Sequence, residues 1–148
     1  MPNSHLTPVL RLLQSGDAIR ARLAGELSAV HGLSVNEMFL LMQLEQAALH
    51  RLSRVELARR LHMSASTVTR MAAPMEKLGL VTRQADSRDA RLAFVVLTEA
   101  GLRKVVEARA SFAEQAVLVF RDRWTVEEVE QLSDLLGRLV TDAPGSLT

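Results

Sequence analysis

Apolar residues recur three and four positions apart along most of this chain, and the rhythm changes once, past its midpoint. Spacing of that kind puts side chains on one face of a helix, whereas alternation or short β-branched runs belong to strands. The pattern predicts a first helix over 8–31, with Val9, Leu12, Leu13, Ile19, Leu23, Leu27 and Val30 as its stripe. Gly16 and Gly25 interrupt it, each costing about 1 kcal/mol against alanine. A second helix over 35–47 is apolar on more than one face, which predicts a buried central element. Shorter helices follow over 54–61, with Val55, Leu57, Ala58 and Leu61, and over 65–78, with Val68, Met71, Ala72, Met75 and Leu78 on one face. The runs 80–83 and 92–98 then flank a polar loop and read as a β-hairpin. Helices over 102–120 and 126–140 close the chain.

Local signals agree with these limits. Ser34 with Glu37, Ser53 with Glu56 and Thr125 with Glu128 have the capping-box spacing, while Ser64 and Thr98 are N-cap candidates. Gly32 is placed for a left-handed stop after the first helix. Pro74 falls inside the fourth helix, removes one backbone bond and is expected to bend its C-terminal half.

Composition removes several classes of function. With 148 residues the chain is expected to form one compact unit. It has no cysteine, which excludes a disulfide framework and thiolate metal ligation. No apolar run approaches the roughly 20 residues of a membrane span and no signal pattern opens the chain, so a cytoplasmic protein without a membrane partner is expected. Four Phe, one Trp and no Tyr give little for stacking single-stranded bases. His5, His31, His50 and His62 lack metal-site spacing, and no nucleophile–base set or phosphate loop stands out. We expect no metal, no cofactor and no enzymatic activity.

Charge is what the bulk numbers conceal. Between Arg51 and Arg91 there are nine basic and four acidic residues, a net +5, whereas the remainder has nine and thirteen, a net −4. A basic module on an acidic body has a natural polyanionic partner, because each neutralised phosphate releases condensed counterions. Within that module, Ser66, Thr69, Arg70 and Ala73 lie opposite the apolar face of the fourth helix, with Ala65 and Thr67 at its start. Small and hydroxylated residues on leading turns let a helix sink into a major groove about 12 Å wide, where Arg70 can meet guanine or phosphate. Taken alone, this helix reads equally well as a solvated amphipathic helix. The preceding helix and the short turn at Met63-Ser64 make it the second member of a helix-turn-helix. The loop Asp86-Ser87-Arg88-Asp89-Ala90-Arg91 then offers guanidinium groups suited to a narrow minor groove, with Asp86 and Asp89 able to orient them.

Four motifs in sequence make the pattern specific. These are Leu61-His62-Met63-Ser64-Ala65-Ser66-Thr67-Val68-Thr69-Arg70, Glu76-Lys77-Leu78-Gly79-Leu80-Val81, Asp86-x-Arg88-Asp89-x-Arg91 and Leu97-Thr98-Glu99-Ala100-Gly101. In this order they resemble the MarR family of winged helix-turn-helix regulators. The resemblance implies a mainly α fold with a two-stranded hairpin wing. Residues 1–33 and 102–148 would supply dimerisation helices around a DNA-binding lobe at 34–101. It also implies a homodimer on a pseudo-palindromic double-stranded operator, commonly a repressor released by a small phenolic or carboxylate effector. Ser66, Thr67, Thr69 and Arg70 match major-groove positions, Arg88 the minor-groove arginine, and Arg91 a backbone contact. Arg54 and Ser64 complete the expected DNA-binding set. For an effector pocket, Leu23, Met38, Met42 and Phe112 are the candidates. The alternative is a protein-interaction module or antirepressor that turns the winged helix toward a protein.

Overall fold

The computed structural model describes residues 3–89, 92–140 and 145–147. Helix α1 runs Leu6–Glu26 and passes into a π-helical turn, Leu27–His31, that stops at left-handed Gly32. Gly16 and Gly25 are both accommodated without a break in the helix. Ser34 then starts α2 (Val35–Gln46) with a complete capping box: its hydroxyl accepts from the Glu37 amide, and the Glu37 carboxylate accepts from the Ser34 amide. Helix α2 is the centre of the molecule, as its apolar composition predicts. Val35, Met38, Leu40, Leu41 and Leu44 are buried, and α3, α5 and the sheet pack around it.

After a short 3-10 turn, Ala48–His50, the chain enters β1 (Arg51–Ser53), then α3 (Arg54–Leu61), α4 (Ala65–Lys77), β2 (Val81–Ala85) and β3 (Ala93–Leu97). The expected two-stranded hairpin is present as β2 and β3, and β1 adds a third antiparallel strand to its sheet in the order β1-β3-β2. Three residues carry too short a pattern to announce a strand. Only the arrival of β3, pairing Leu52 with Val95, makes Arg51–Ser53 one.

Tertiary packing also corrects the apolar faces. Val55 and Leu78, both assigned to helix stripes, are 65 % and 67 % exposed. Ser53 caps α3 by accepting from the Glu56 amide, but the Glu56 carboxylate turns to Arg59 and Arg60 instead of completing the box. Pro74 sits within a helix that continues to Lys77. That helix ends in a Schellman motif: Leu80 donates to the Met75 carbonyl and left-handed Gly79 to the Glu76 carbonyl.

Helices α5 (Glu99–Val119) and α6 (Val126–Val140) complete the chain, with Thr98 and the Thr125–Glu128 box at their starts. Phe120 and Trp124 meet edge to face at the corner between them, with centroids 5.5 Å apart. Helix α6 buries none of its residues, and the first four turns of α1 likewise present Leu6, Val9, Leu10 and Leu13 to solvent. Among the described residues no helix is long and apolar enough to cross a membrane.

Candidate nucleic-acid interface

The helix-turn-helix angle is set by α3 and α4. His62 ends α3 in the left-handed conformation (φ 55°), with its amide donating to Arg59 and the Met63 amide to Ala58. A left-handed residue at this point turns the chain sharply. Ser64 then opens α4, its hydroxyl accepting from the Thr67 amide at 3.1 Å. Val68, Ala72 and Met75 anchor α4 in the core and so fix which face remains outside.

That outer face carries two polar clusters, one around Ser64 and Thr67 and one around Thr69. Ser64 Oγ lies 3.1 Å from Ser66 Oγ and 2.8 Å from Thr67 Oγ1, and Arg70 Nη2 donates to Thr67 Oγ1 at 3.3 Å. Arg54, from the start of α3, donates to Thr69 Oγ1 at 3.1 Å. Thr69 in turn donates to the Ala65 carbonyl one turn back. Six of the residues singled out from sequence thus come together on one surface. Each arginine is steered by a threonine hydroxyl, which positions a guanidinium without neutralising it. Such a surface can donate to base edges or phosphate oxygens once water is displaced.

The wing carries the remaining candidates. Asp86 Oδ1 accepts from the backbone amide of Arg88 at 2.7 Å, an Asx turn that shapes the tip through the main chain. This contact of Asp86 is with the Arg88 backbone amide, not with its guanidinium. The Asp86 amide donates to the Leu92 carbonyl and the Leu92 amide to the Asp89 carbonyl, closing the loop. Arg88 and Asp89 are exposed at the tip. Arg91 lies outside the described residues.

Two further cations escaped the sequence reading. Arg51 lies over the Phe94 ring at 4.7 Å and donates to Gln84 Oε1, and Arg83 pairs with Glu76 at 2.9 Å. The Arg51 contacts depend on the β1-β3-β2 register and the Arg83 pair on β2 packing beside α4, so no local pattern could have marked them. Glu56, held between Arg59 and Arg60, has its carboxyl brought down to about 2, first by the hydrogen bond from Arg59 and then by that from Arg60. The same contact raises the Arg59 guanidinium further above its usual range.

The four pocket candidates lie elsewhere. Leu23 and Met38 are 5 % and 1 % exposed in the core, and Met42 and Phe112 pack against it. The larger cavity near α2 is lined instead by residues such as Phe39, Gln43 and Met63.

The MarR family model matches residues 33–92, from the start of α2 to the far side of the wing. That match makes the winged lobe similar to the MarR family. The fold of the whole chain agrees with that lobe. BldR, a transcriptional regulator from Sulfolobus solfataricus, is 25 % identical with a TM-score of 0.78, over 92 % of this chain and 96 % of that one. Sco3205, a MarR-family transcriptional regulator from Streptomyces coelicolor solved in complex with DNA, is 24 % identical at a TM-score of 0.78, covering 93 % and 91 %. A mutant MarR from E. coli complexed with operator DNA is 22 % identical at 0.75, covering 93 % and 97 %. No curated protein matches the chain.

Proposed function

We propose that the protein is a dimeric, sequence-specific regulator of transcription that binds double-stranded DNA, acts as a repressor and is released by a small molecule. The observation that carries this reading is the network on α4, in which Ser64, Ser66, Thr67 and Arg70 share one exposed face while Arg54 approaches it from α3. It lies within the segment of net +5, where phosphate attraction is strongest. Ser66, Thr67, Thr69 and Arg70 are assigned to the major groove. Arg88 is assigned to the minor groove and Arg91 to the adjoining backbone. Asp86 and Asp89 shape the wing tip.

Dimerisation is supported by unpartnered apolar stripes at both ends of the chain. Leu6, Val9 and Leu13 on α1, and Val126, Leu135 and Leu139 on α6, are between 48 % and 70 % exposed. Such stripes on two long helices are the usual mark of an interface. A symmetric dimer would place two copies of α4 about 34–36 Å apart, one turn of duplex. An effector that prefers a dimer of different lobe spacing would weaken DNA binding by its differential affinity for the two states.

The test is fluorescence anisotropy with a duplex from upstream of the protein's own gene and a scrambled duplex, over a salt series. Selective binding with a steep negative salt slope is expected. Equal, weak and salt-insensitive binding to every upstream duplex tried would overturn the reading and favour a protein partner.

A further inference from the structure

The hairpin that carries Arg88 is held on both faces near its base. Alternation along the strands puts Leu52, Val81, Val95 and Leu97 on the buried face of the sheet and Arg51, Gln84 and Phe94 on the other. On the buried side Arg83, opposite Val95, pairs with Glu76 of α4 at 2.9 Å. On the other side Arg51 stands opposite Val96 and reaches diagonally toward the tip. Its guanidinium lies 4.7 Å over the Phe94 ring and donates to Gln84 Oε1 at 3.0 Å. One side chain thus spans the sheet, from β1 across β3 to β2.

The direction of that reach gives it a use. Strand β1 ends at Ser53, opposite Phe94, whereas β2 and β3 continue to the Ala85–Ala93 pair and the loop bearing Arg88. Past Phe94 the sheet is two strands wide, and a two-stranded ribbon is only marginally stable by itself. Arg51 contacts both members of the Gln84–Phe94 pair, the last one that β1 flanks. Diagonal cross-strand contacts of this kind lie within reach of long side chains. A guanidinium is suited to the position, because it stacks flat on a ring and keeps N–H donors at its edge.

We propose that Arg51 is a positioning residue for DNA binding: it braces the β2-β3 ribbon through Phe94 and Gln84 and so holds Arg88 where it enters the minor groove. The proposal rests on the wing reading above and adds the residue that aims the wing. Arg51 acts through Arg88 and makes no base or phosphate contact of its own.

The experiment is a double-mutant cycle on operator affinity, measured by anisotropy with the full-length protein and the duplex from upstream of its own gene. Amide relaxation of the DNA-free protein is the independent readout. Arg51→Ala is expected to weaken binding about fivefold, the scale of one cation–π contact. In an Arg88→Ala background the same substitution should add less than about twofold, because the side chain it aims is gone. Gln84→Ala combined with Phe94→Leu should reproduce the loss although Arg51 keeps its charge. Without DNA, Arg51→Ala should lower the order parameters of Ser87, Arg88 and Asp89 and leave those of α2 unchanged. A full loss that persists in the Arg88→Ala background, or full affinity in the Gln84–Phe94 variant, would make Arg51 a direct phosphate contact and overturn the positioning role. Tip order parameters that stay put would overturn it as well. A wild type that binds no upstream duplex, with a tip that still loosens in Arg51→Ala, would overturn the DNA reading and the positioning role together and leave only the brace.

Discussion

A Cβ on Gly101 would sit 2.1 Å from the carbonyl oxygen of Leu80 and 2.6 Å from Leu97 Cδ1, so the first turn of α5 touches the start of the wing backbone to backbone. Thr98 fastens the same joint. Its hydroxyl accepts from the Gly101 amide at 3.0 Å and reaches the carbonyls of Gly79 and Leu80 at 2.6 and 3.0 Å. The Leu97-Thr98-x-x-Gly101 motif is therefore a weld between β2, β3 and α5, and it acts through stability rather than through contact with a ligand. Gly101→Ala should lower stability by about 1–3 kcal/mol, the usual range for overpacking a tight site. Urea denaturation checks it, and an unchanged midpoint would refute the close approach.

Arg88→Ala should weaken operator binding while leaving the dimer and the melt intact. The Asx turn that shapes the wing tip uses only the Arg88 backbone amide, which alanine keeps. Anisotropy combined with sedimentation separates the two readouts. Unaltered affinity would remove the wing from the interface.

Arg70→Ala should cost about 1–3 kcal/mol of operator affinity and flatten the preference at one base position if the guanidinium reads a base edge. A loss of the same size on every duplex would assign it to phosphate instead. Since Thr67 steers Arg70 at 3.3 Å, Thr67→Val should reproduce a smaller part of the same loss.

Leu135→Lys together with Leu139→Lys should yield monomers with a folded winged lobe, because both side chains are exposed on α6 and support none of the chain's own core. Size-exclusion chromatography with light scattering decides the matter. A dimer of undiminished stability would place the interface elsewhere.

Glu56 links pH to stability. Its carboxyl is lowered in the folded state from 4.5 to about 2, so its contribution is complete above pH 4.5 and disappears as the pH falls toward 2. Wild type should therefore exceed Glu56→Gln in melting temperature at neutral pH, and the gap should close across that acid window. A gap independent of pH would mean that the contacts to Arg59 and Arg60 are not ionic.

Most of the helical framework is decided locally, and so it is readable in one dimension. Helix limits follow from caps such as Ser34, Ser64 and Thr98 and from stops such as Gly32 and Gly79, each of which acts within a few residues. The hydroxyl-rich face of α4 was legible for the same reason: Val68, Ala72 and Met75 must be buried, and helical geometry then places Ser66 and Arg70 outside. Other features depend on what arrives from far along the chain. Arg51–Ser53 is a strand because β3 pairs with it more than forty residues later, and that pairing brings Arg51 over Phe94. Val55 and Leu78 follow the apolar pattern of their helices but find nothing to cover them in this chain. Gln43 shows the limit most clearly. The sequence by itself determines a glutamine in an apolar helix, and only the tertiary structure brings the Gly145 carbonyl to it across a separation of 102 residues. Periodicity encodes which face of an element is wet or dry, whereas the partner of a buried polar atom is set by packing between distant segments.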